Sequence, residues 1–197
     1  MSRKEKVKDL PILEKIPILD TAAEGMAIAR VEGMVVFVPY AVPGDVVDIR
    51  LYKKKKNYAE GRVVNFHSRS EHRIEPVCQH FGVCGGCKWQ VMDYAAQLDA
   101  KQKQVRDNLE RIGGVDCSGM RPICGSERQY HYRNKLEFTF STRQWLTAEQ
   151  MEAGVPTEWG ALGFHIPQMF DRCCPSRSAA CNRSRATRYA ARCVTTL

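Results

Sequence analysis

Between Ile12 and Phe66 the chain never goes far without a Gly, a Pro or a switch of side-chain character. That punctuation leaves room for short strands and little else. PILEKIPILD forms a first apolar run, and TAAEGMAIARVEGMVVFVPYAVPGD forms two more, parted by Gly25 and Gly33. In VVDIRLYKKK, Val47, Ile49 and Leu51 alternate with Asp48, Arg50 and Tyr52, the period of a half-buried strand. NYAEGRVVNF then returns as a last strand. Five short strands in about 55 residues are too few for a sandwich and suit a small closed barrel of the OB type.

The tip between the last two strands carries Lys53, Lys54, Lys55 and Lys56, flanked by Tyr52 and Tyr58. Ammonium groups beside aromatic rings can hold a phosphate backbone while the rings stack on bases. The plainer alternative is a solvated hairpin tip whose lysines protect a sheet edge.

Hydrophobic content of 44% with 26% charged residues is ordinary for a globular chain and excludes wholesale disorder or collagen-like repetition. No apolar run approaches the ~20 residues of a membrane span. MSRKEKVKDL has no apolar stretch behind its basic residues, so no secretory signal is read, and a cytoplasmic, monomeric protein is expected. The formal charge of +8 looks like a nucleic-acid signature until it is divided along the chain. Residues 172–197 hold six arginines and no acid, and with them Cys173, Cys174, Cys181 and Cys193 of the nine cysteines. The body before Arg172 is left at +2.

Residues 78–87 read CQHFGVCGGC, placing Cys78, Cys84 and Cys87 in a C-x5-C-x2-C spacing. Two thiolates two residues apart reach one metal because the intervening turn folds back, and Gly85 and Gly86 permit that turn and leave room for a bulky group. Disulfides are not expected among three cysteines so close in a cytosolic chain. Zinc usually takes paired knuckles, and the second pair is missing. An asymmetric triple with one distant partner suits a four-cysteine iron–sulfur cluster better. Zinc and a redox CGGC stay open, although no βαβ context supports the latter. Cys117 and Cys124, in GGVDCSGMRPICGS, read as ordinary small buried residues.

DYAAQLDAKQKQVRDNLERIGG predicts a helix with Asp93 as N-cap and Gly113 as stop. Ala95, Leu98, Val105, Leu109 and Ile112 form its apolar stripe, and Lys101, Lys103, Arg106 and Arg111 its solvated face. HYRNKLEFTFS follows as a strand with Leu136, Phe138 and Phe140 inward, and ALGFH as its partner. His165, a lone histidine at a strand end, is not read as a ligand, and QWLTAEQMEAGVPTEWG is left unplaced. This part reads as a small α+β unit.

Together, the barrel, CQHFGVCGGCKWQ, the helix with QKQV, YRNKLEFTFS and LGFH resemble the RNA (uracil-5-)-methyltransferase family. The likeness is to its iron–sulfur branch, which modifies ribosomal RNA, and it covers residues 10–171. It implies a basic extension (1–10), a TRAM-like barrel (11–70) and a central α+β iron–sulfur and RNA-binding domain (71–171). It also implies that Cys78, Cys84 and Cys87, with a later cysteine, hold a [4Fe–4S] cluster. In the full-length family, a Rossmann-like domain binds S-adenosylmethionine and supplies a thiolate that adds to C6 of the uracil. C5 then takes the methyl group from the sulfonium, and a base removes the C5 proton. No stretch of this sequence matches that catalytic domain, roughly 200 residues by the size of such domains. The implied function is therefore RNA binding and a cluster site for a methyltransferase, with no activity in this chain alone. The alternative is a free-standing, non-catalytic RNA-binding iron–sulfur module. A methylthiotransferase fragment fits less well, since its cluster spacing is C-x3-C-x2-C and its barrel follows the cluster.

The resemblance places the later cysteine 14 or 15 residues beyond Phe164, at Ser178 or Ala179. Permitted codons for Pro175 to Ser184, read one frame over, spell V-E-K-C-R-L-Q-P-E, and the cysteine straddles those two positions. Residues 172–197 are accordingly read as an out-of-frame tail; a genuine basic RNA-binding tail is the alternative. Coding DNA that shows no methyltransferase sequence in the shifted frame would overturn the reading.

Overall fold

The alternating apolar runs become strands in the computed structural model, which describes residues 10–133, 135–155, 161–166 and 169–175. Two units are present. One draws on residues 1–75 and 91–125, the other on 76–90 and 126–197.

The first unit is built on β1 (Ile12–Pro17), β2 (Asp20–Thr21), β3 (Met26–Val31), β4 (Met34–Pro39), β5 (Val46–Lys54) and β6 (Tyr58–Ser68). They form one sheet in the order β1-β5-β6-β4-β3-β2. Its two outer strands are separated in the chain only by Ile18 and Leu19, so the sheet curls until its edges are halves of one broken strand. Ile18 N–H donates to Asp45 O at 2.9 Å and Leu19 N–H to Ile28 O at 2.8 Å, one toward each side of the break. The expected first strand is therefore present in two pieces, and the other four match the alternation. At the β3–β4 hairpin, Glu32 (φ 50°) and Gly33 (φ 80°) are both left-handed, which matches the turn to the twist of the strands. β4 runs parallel to β6, with Val36 opposite Ala59.

Inside lie Ala27, Ala29, Val36, Val38, Val47, Ile49, Leu51 and Ala59, all buried. The small residues fit the narrow interior. At Gly61, opposite Leu51, a Cβ would collide with the Ile49 side chain, so this strand crossing requires glycine.

Among the described residues one charged group, Asp45, is fully enclosed. Val42-Pro43-Gly44-Asp45 is a turn closed by Asp45 N–H to Val42 O at 2.9 Å, with Gly44 at φ +96°. The Asp45 carboxylate accepts from Val42 N (2.7 Å), Ser70 N (2.9 Å), and Arg73 Nε (3.1 Å) and Nη2 (2.6 Å). Arg73 Nη2 also donates to Tyr40 O at 2.9 Å, and its guanidinium lies 4.7 Å from the Phe66 ring centroid. Burial alone would raise the Asp45 pKa. The Arg73, Ser70 and Val42 donors outweigh it and hold the carboxyl below its ordinary range.

Beyond β6, Ile74 N–H donates to Val91 O (2.9 Å), Asp93 N–H donates to His72 O (2.9 Å), and Arg73 bridges Met92. Helix α1 (Tyr94–Arg111) then starts as expected on Asp93, whose carboxylate accepts from Ala96 N at 2.9 Å. Its stripe is not covered along its length: Val105, Leu109 and Ile112 are exposed, Ile112 by 83%. Lys103 is exposed, as read, and in addition holds Asp20 of β2 at 2.8 Å and Asp107 at 2.9 Å. Helix and barrel thus share the first unit, whereas the sequence grouped α1 with the cysteines.

The second unit contains β7 (Thr139–Ser141), β8 (Arg143–Gln144), α2 (Ala148–Glu152), β9 (Ala161–Ile166) and β10 (Met169–Pro175). The sheet order is β7-β9-β10-β8, antiparallel except for β10–β8. ALGFH is β9, and it pairs with β7 as read. The strand expected over HYRNKLEFTFS is reduced to three residues, and Phe140 faces outward, 67% exposed. Phe138 stacks instead on Phe164 at 4.8 Å. α2, in the stretch left unplaced, is started by a Thr147–Gln150 capping box. The break read at Arg172 falls inside β10; residues 176–197 lie outside the described residues. Among the described residues no helix is long and apolar enough to cross a membrane.

Removing the Asp45 carboxylate strands a buried guanidinium. Asp45→Ala should cost about 3–5 kcal/mol in urea unfolding; a loss below about 1 kcal/mol, the scale of an exposed pair, would show the pair to be peripheral.

A second carboxylate adds to the acid sensitivity of the barrel. Asp48 accepts from Lys15 N (2.8 Å) and Asn65 Nδ2 (3.1 Å) and lies 2.6 Å from His67 Nε2; these hold it at about 2 against 3.8 ordinarily. A lowered carboxylate pKa stabilises the fold above the unfolded value and loses that contribution as pH falls through the folded one. Barrel stability should therefore decline from pH 3.8 toward 2, with Asp48→Asn flattening the profile over that window; an identical profile would contradict it.

Candidate functional site

Two regions carry the residues singled out by the sequence, one in each unit. In the first, Lys55 N–H donates to Tyr58 O at 2.8 Å and closes the β5–β6 hairpin. Lys54, Lys55 and Lys56 stand exposed at its tip. Lys53 departs from the expected quartet. Its Nζ pairs with Glu60 Oε1 at 2.5 Å and lies 5.6 Å from the Tyr58 ring centroid, and the Glu60 hydrogen bond raises its pKa. Its charge is thus balanced by a neighbour, leaving three lysines for an external anion. The Tyr58 ring meets Phe37 edge-on at 5.9 Å, which fixes its plane beside the tip. Tyr52 is half-buried, and burial raises its hydroxyl pKa.

In the second unit, the cysteine loop is folded by its own backbone. Phe81 N–H donates to Cys78 O (2.9 Å) and Cys84 N–H to His80 O (2.9 Å), while Gly82 takes φ +84°. Cys78 N–H is held by Gln90 Oε1 at 3.1 Å. Gly85 N–H donates to His165 O at 3.1 Å, so the C-G-G-C turn is tied to β9. His165 enters through its backbone carbonyl in this contact.

Cys84 receives the Gly86 N–H at 3.3 Å. Burial raises its thiol pKa; the Gly86 N–H offsets part of this, and Cys87 and Cys78 add to the rise. A Cβ on Gly86 would come 3.4 Å from the Cys84 sulfur, so glycine keeps the space beside it open. Cys174, on β10, lies with its sulfur 3.8 Å from His80 Nδ1. Burial, then Cys84, Cys173 and Cys78, push its thiol up to about 11. Cys174 thus feels Cys84, Cys173 and Cys78, while Cys84 feels Cys87 and Cys78. Among the described residues no three His, Cys, Asp or Glu side chains are already arranged to hold a metal ion. The donor set itself, soft sulfur beside glycine, fits a thiolate-held metal or cluster.

Cys117 is buried as expected, but Cys124 is exposed. Sequence reasoning missed His80 as a neighbour of the motif, although it stands inside the C-x5-C spacing; Cys174 belonged to the four tail cysteines that the sequence left as candidates for a further ligand.

Residues 15–64, from the bulge in β1 to the middle of β6, match the TRAM domain family. A Bacteroides thetaiotaomicron protein named as an uncharacterized RNA methyltransferase is 55% identical over 152 residues, covering 77% of this chain and 34% of that protein. One from Porphyromonas gingivalis, named in the same way, is 50% identical over 159 residues, covering 79% and 34%. Among solved structures, the fold resembles a Pyrococcus abyssi tRNA (uracil-54, C5)-methyltransferase in complex with S-adenosyl-L-homocysteine. That likeness has a TM-score of 0.53 at 17% identity over 92% of this chain and 36% of the other. Barrel and match together define a TRAM-domain protein. Its long, high-identity alignments place it more narrowly: the chain belongs to the RNA methyltransferase family. It spans about a third of the length of the curated relatives it matches.

Burial orders the thiols by reactivity in the metal-free protein. Iodoacetamide at pH 8 should label exposed Cys124 first and buried Cys117, Cys173 and Cys174 last, as read by peptide mass spectrometry. Labelling of Cys174 ahead of Cys124 would contradict the packing of β10 against the loop.

Proposed function

We propose that these residues supply the RNA-binding and cluster-holding part of an S-adenosylmethionine-dependent RNA uracil-5-methyltransferase that acts on ribosomal RNA. The observation that carries the reading is the 55% identity over 152 residues to a protein named as an RNA methyltransferase. The TRAM match and the fold shared with a uracil-C5 methyltransferase support it.

RNA meets the barrel at the β5–β6 tip in this reading. Lys54, Lys55 and Lys56 neutralise phosphates, while Tyr58 and Tyr52 offer ring faces to unstacked bases. Lys53 contributes mainly by holding the tip through Glu60. A [4Fe–4S] cluster would be held by Cys78, Cys84 and Cys87 with one further thiolate. When bound, it would cross-link the loop and supply a one-electron centre. The Gly86 N–H aimed at Cys84 Sγ would favour the thiolate there.

The salt dependence of RNA binding tests the tip. Each of Lys54→Ala, Lys55→Ala and Lys56→Ala should lower the slope of log K against log salt by about 0.7, the single-strand value per phosphate contact. Lys53→Ala should change it less. Equal effects from all four, or none, would move the RNA surface elsewhere.

Catalysis is assigned to the part of the family's proteins that these 197 residues do not cover. With labelled S-adenosylmethionine and unmodified ribosomal RNA, this chain should bind RNA and transfer no methyl group. Any C5-methyluridine above background would overturn the division of labour.

A further inference from the structure

On β5 and β6, Ile49, Leu51, Ala59 and Gly61 are buried in the barrel, so the residues that alternate with them face outward. Arg50 and Arg62 are two of these, and the register sets them directly opposite one another. Opposed strand residues stand about 5 Å apart at Cβ, where two like charges repel. Both arginines are exposed, and neither has a hydrogen-bond or ion-pair partner among the described residues.

The acids that could relieve this pair are committed elsewhere. Two residues along β6, Glu60 holds Lys53 Nζ. Two residues along β5, Asp48 accepts from Lys15 N and Asn65 Nδ2 and meets His67 Nε2 at 2.6 Å. On the other side of Arg50 the register places Ile12 of β1, which is 44% exposed and carries no charge. Two guanidinium forks thus stand side by side on an open face, unanswered by any acid among the described residues. Each fork matches the oxygens of a phosphate, and one phosphate held between them removes the repulsion.

We infer that Arg50 and Arg62 together clamp a single backbone phosphate of the RNA strand that meets the β5–β6 tip. This rests on the proposal that the barrel binds RNA. Arg50 and Lys54 are four residues apart on β5, about 13 Å along the strand, with the Lys53–Glu60 pair between them. The RNA strand accordingly runs along the hairpin, from the lysines at its end to the arginine pair on its outer face. Contacts to a phosphate carry no base information, so the clamp fixes the direction and register of the RNA and leaves its sequence unread.

Fluorescence anisotropy of a labelled, uridine-containing single-stranded RNA, followed over a range of salt with the full 197-residue chain, tests the clamp. Arg50→Gln and Arg62→Gln should each weaken binding several-fold. Arg62→Lys should also weaken it but keep the salt slope, because the charge stays and the fork is lost. The double variant Arg50→Gln/Arg62→Gln should lower the slope of log K against log salt by about 0.7, one phosphate contact on a single strand. A fall of about 1.4 means two separate phosphates and overturns the clamp. Urea unfolding without RNA guards against misfolding: losing one of two like charges should leave the midpoint of each Gln variant equal or higher, and a lower midpoint overturns the premise that the pair is unanswered. Saturable binding of inorganic phosphate alone by the wild type, absent from the double variant, reassigns the pair to a free anion. A wild type that binds no RNA overturns the RNA reading and this inference with it. A wild type that binds RNA, with a double variant that binds equally well, overturns only the clamp.

Discussion

The Asp45 carboxylate has no exposed surface, yet four N–H groups converge on it from Val42, Ser70 and Arg73. An ion in that position is tolerable only with its partners in place, so the partners' positions are effectively set by it. The Pro43–Gly44 turn is fixed first. Asp45 O and Gly44 N then exchange hydrogen bonds with Ile18, where the first strand breaks. Through that residue the two edges of the sheet become one chain. Arg73 carries the same constraint onward. Its backbone bridges Met92, and Ile74 N–H donates to Val91 O, so residues 74 and 91 sit side by side. Fifteen residues, including the three motif cysteines, thus leave and rejoin the first unit at neighbouring points.

Charge plays a smaller and more local role than the formal +8 implies. In the first unit several basic groups are answered by acids: Lys53 by Glu60, Arg73 by Asp45, Lys103 by Asp20 and Asp107. At the β5–β6 tip three exposed lysines precede a tyrosine, Tyr58, whose ring is braced by Phe37. A short cationic tip next to a fixed aromatic face is a better docking feature than a diffuse basic surface. It offers both a phosphate contact and a stacking plane within one hairpin.

Much of the barrel was legible because period-2 alternation is a local property. Val47, Ile49 and Leu51 face inward as the spacing required, and the Asp93 cap marks the helix start. The break at Ile18 was not legible, since it depends on a turn 24 or more residues away along the chain. The Asp45–Arg73 pair, 28 residues apart, was equally invisible; nothing local says that one of eleven acids before residue 76 is enclosed. The helix stripe misled for a related reason: periodicity shows that Val105, Leu109 and Ile112 share a face but not whether anything covers it. At the cysteine loop, the spacing pointed to thiolate chemistry, whereas the neighbour on β10 required a strand register. Composition marked residues 172–175 as tail, yet their backbone pairs with β9 and β8.

The account's central claim is that an RNA-binding barrel presents the β5–β6 tip as its contact surface. Amide chemical shifts of the isotope-labelled chain, followed while a short uridine-containing single-stranded RNA is added, test it most directly. The account predicts the largest shifts at Tyr52, Lys54, Lys55, Lys56 and Tyr58, with Asp45 and Arg73 unmoved. Shifts centred elsewhere, or none at concentrations where RNA methyltransferase relatives bind, would contradict it.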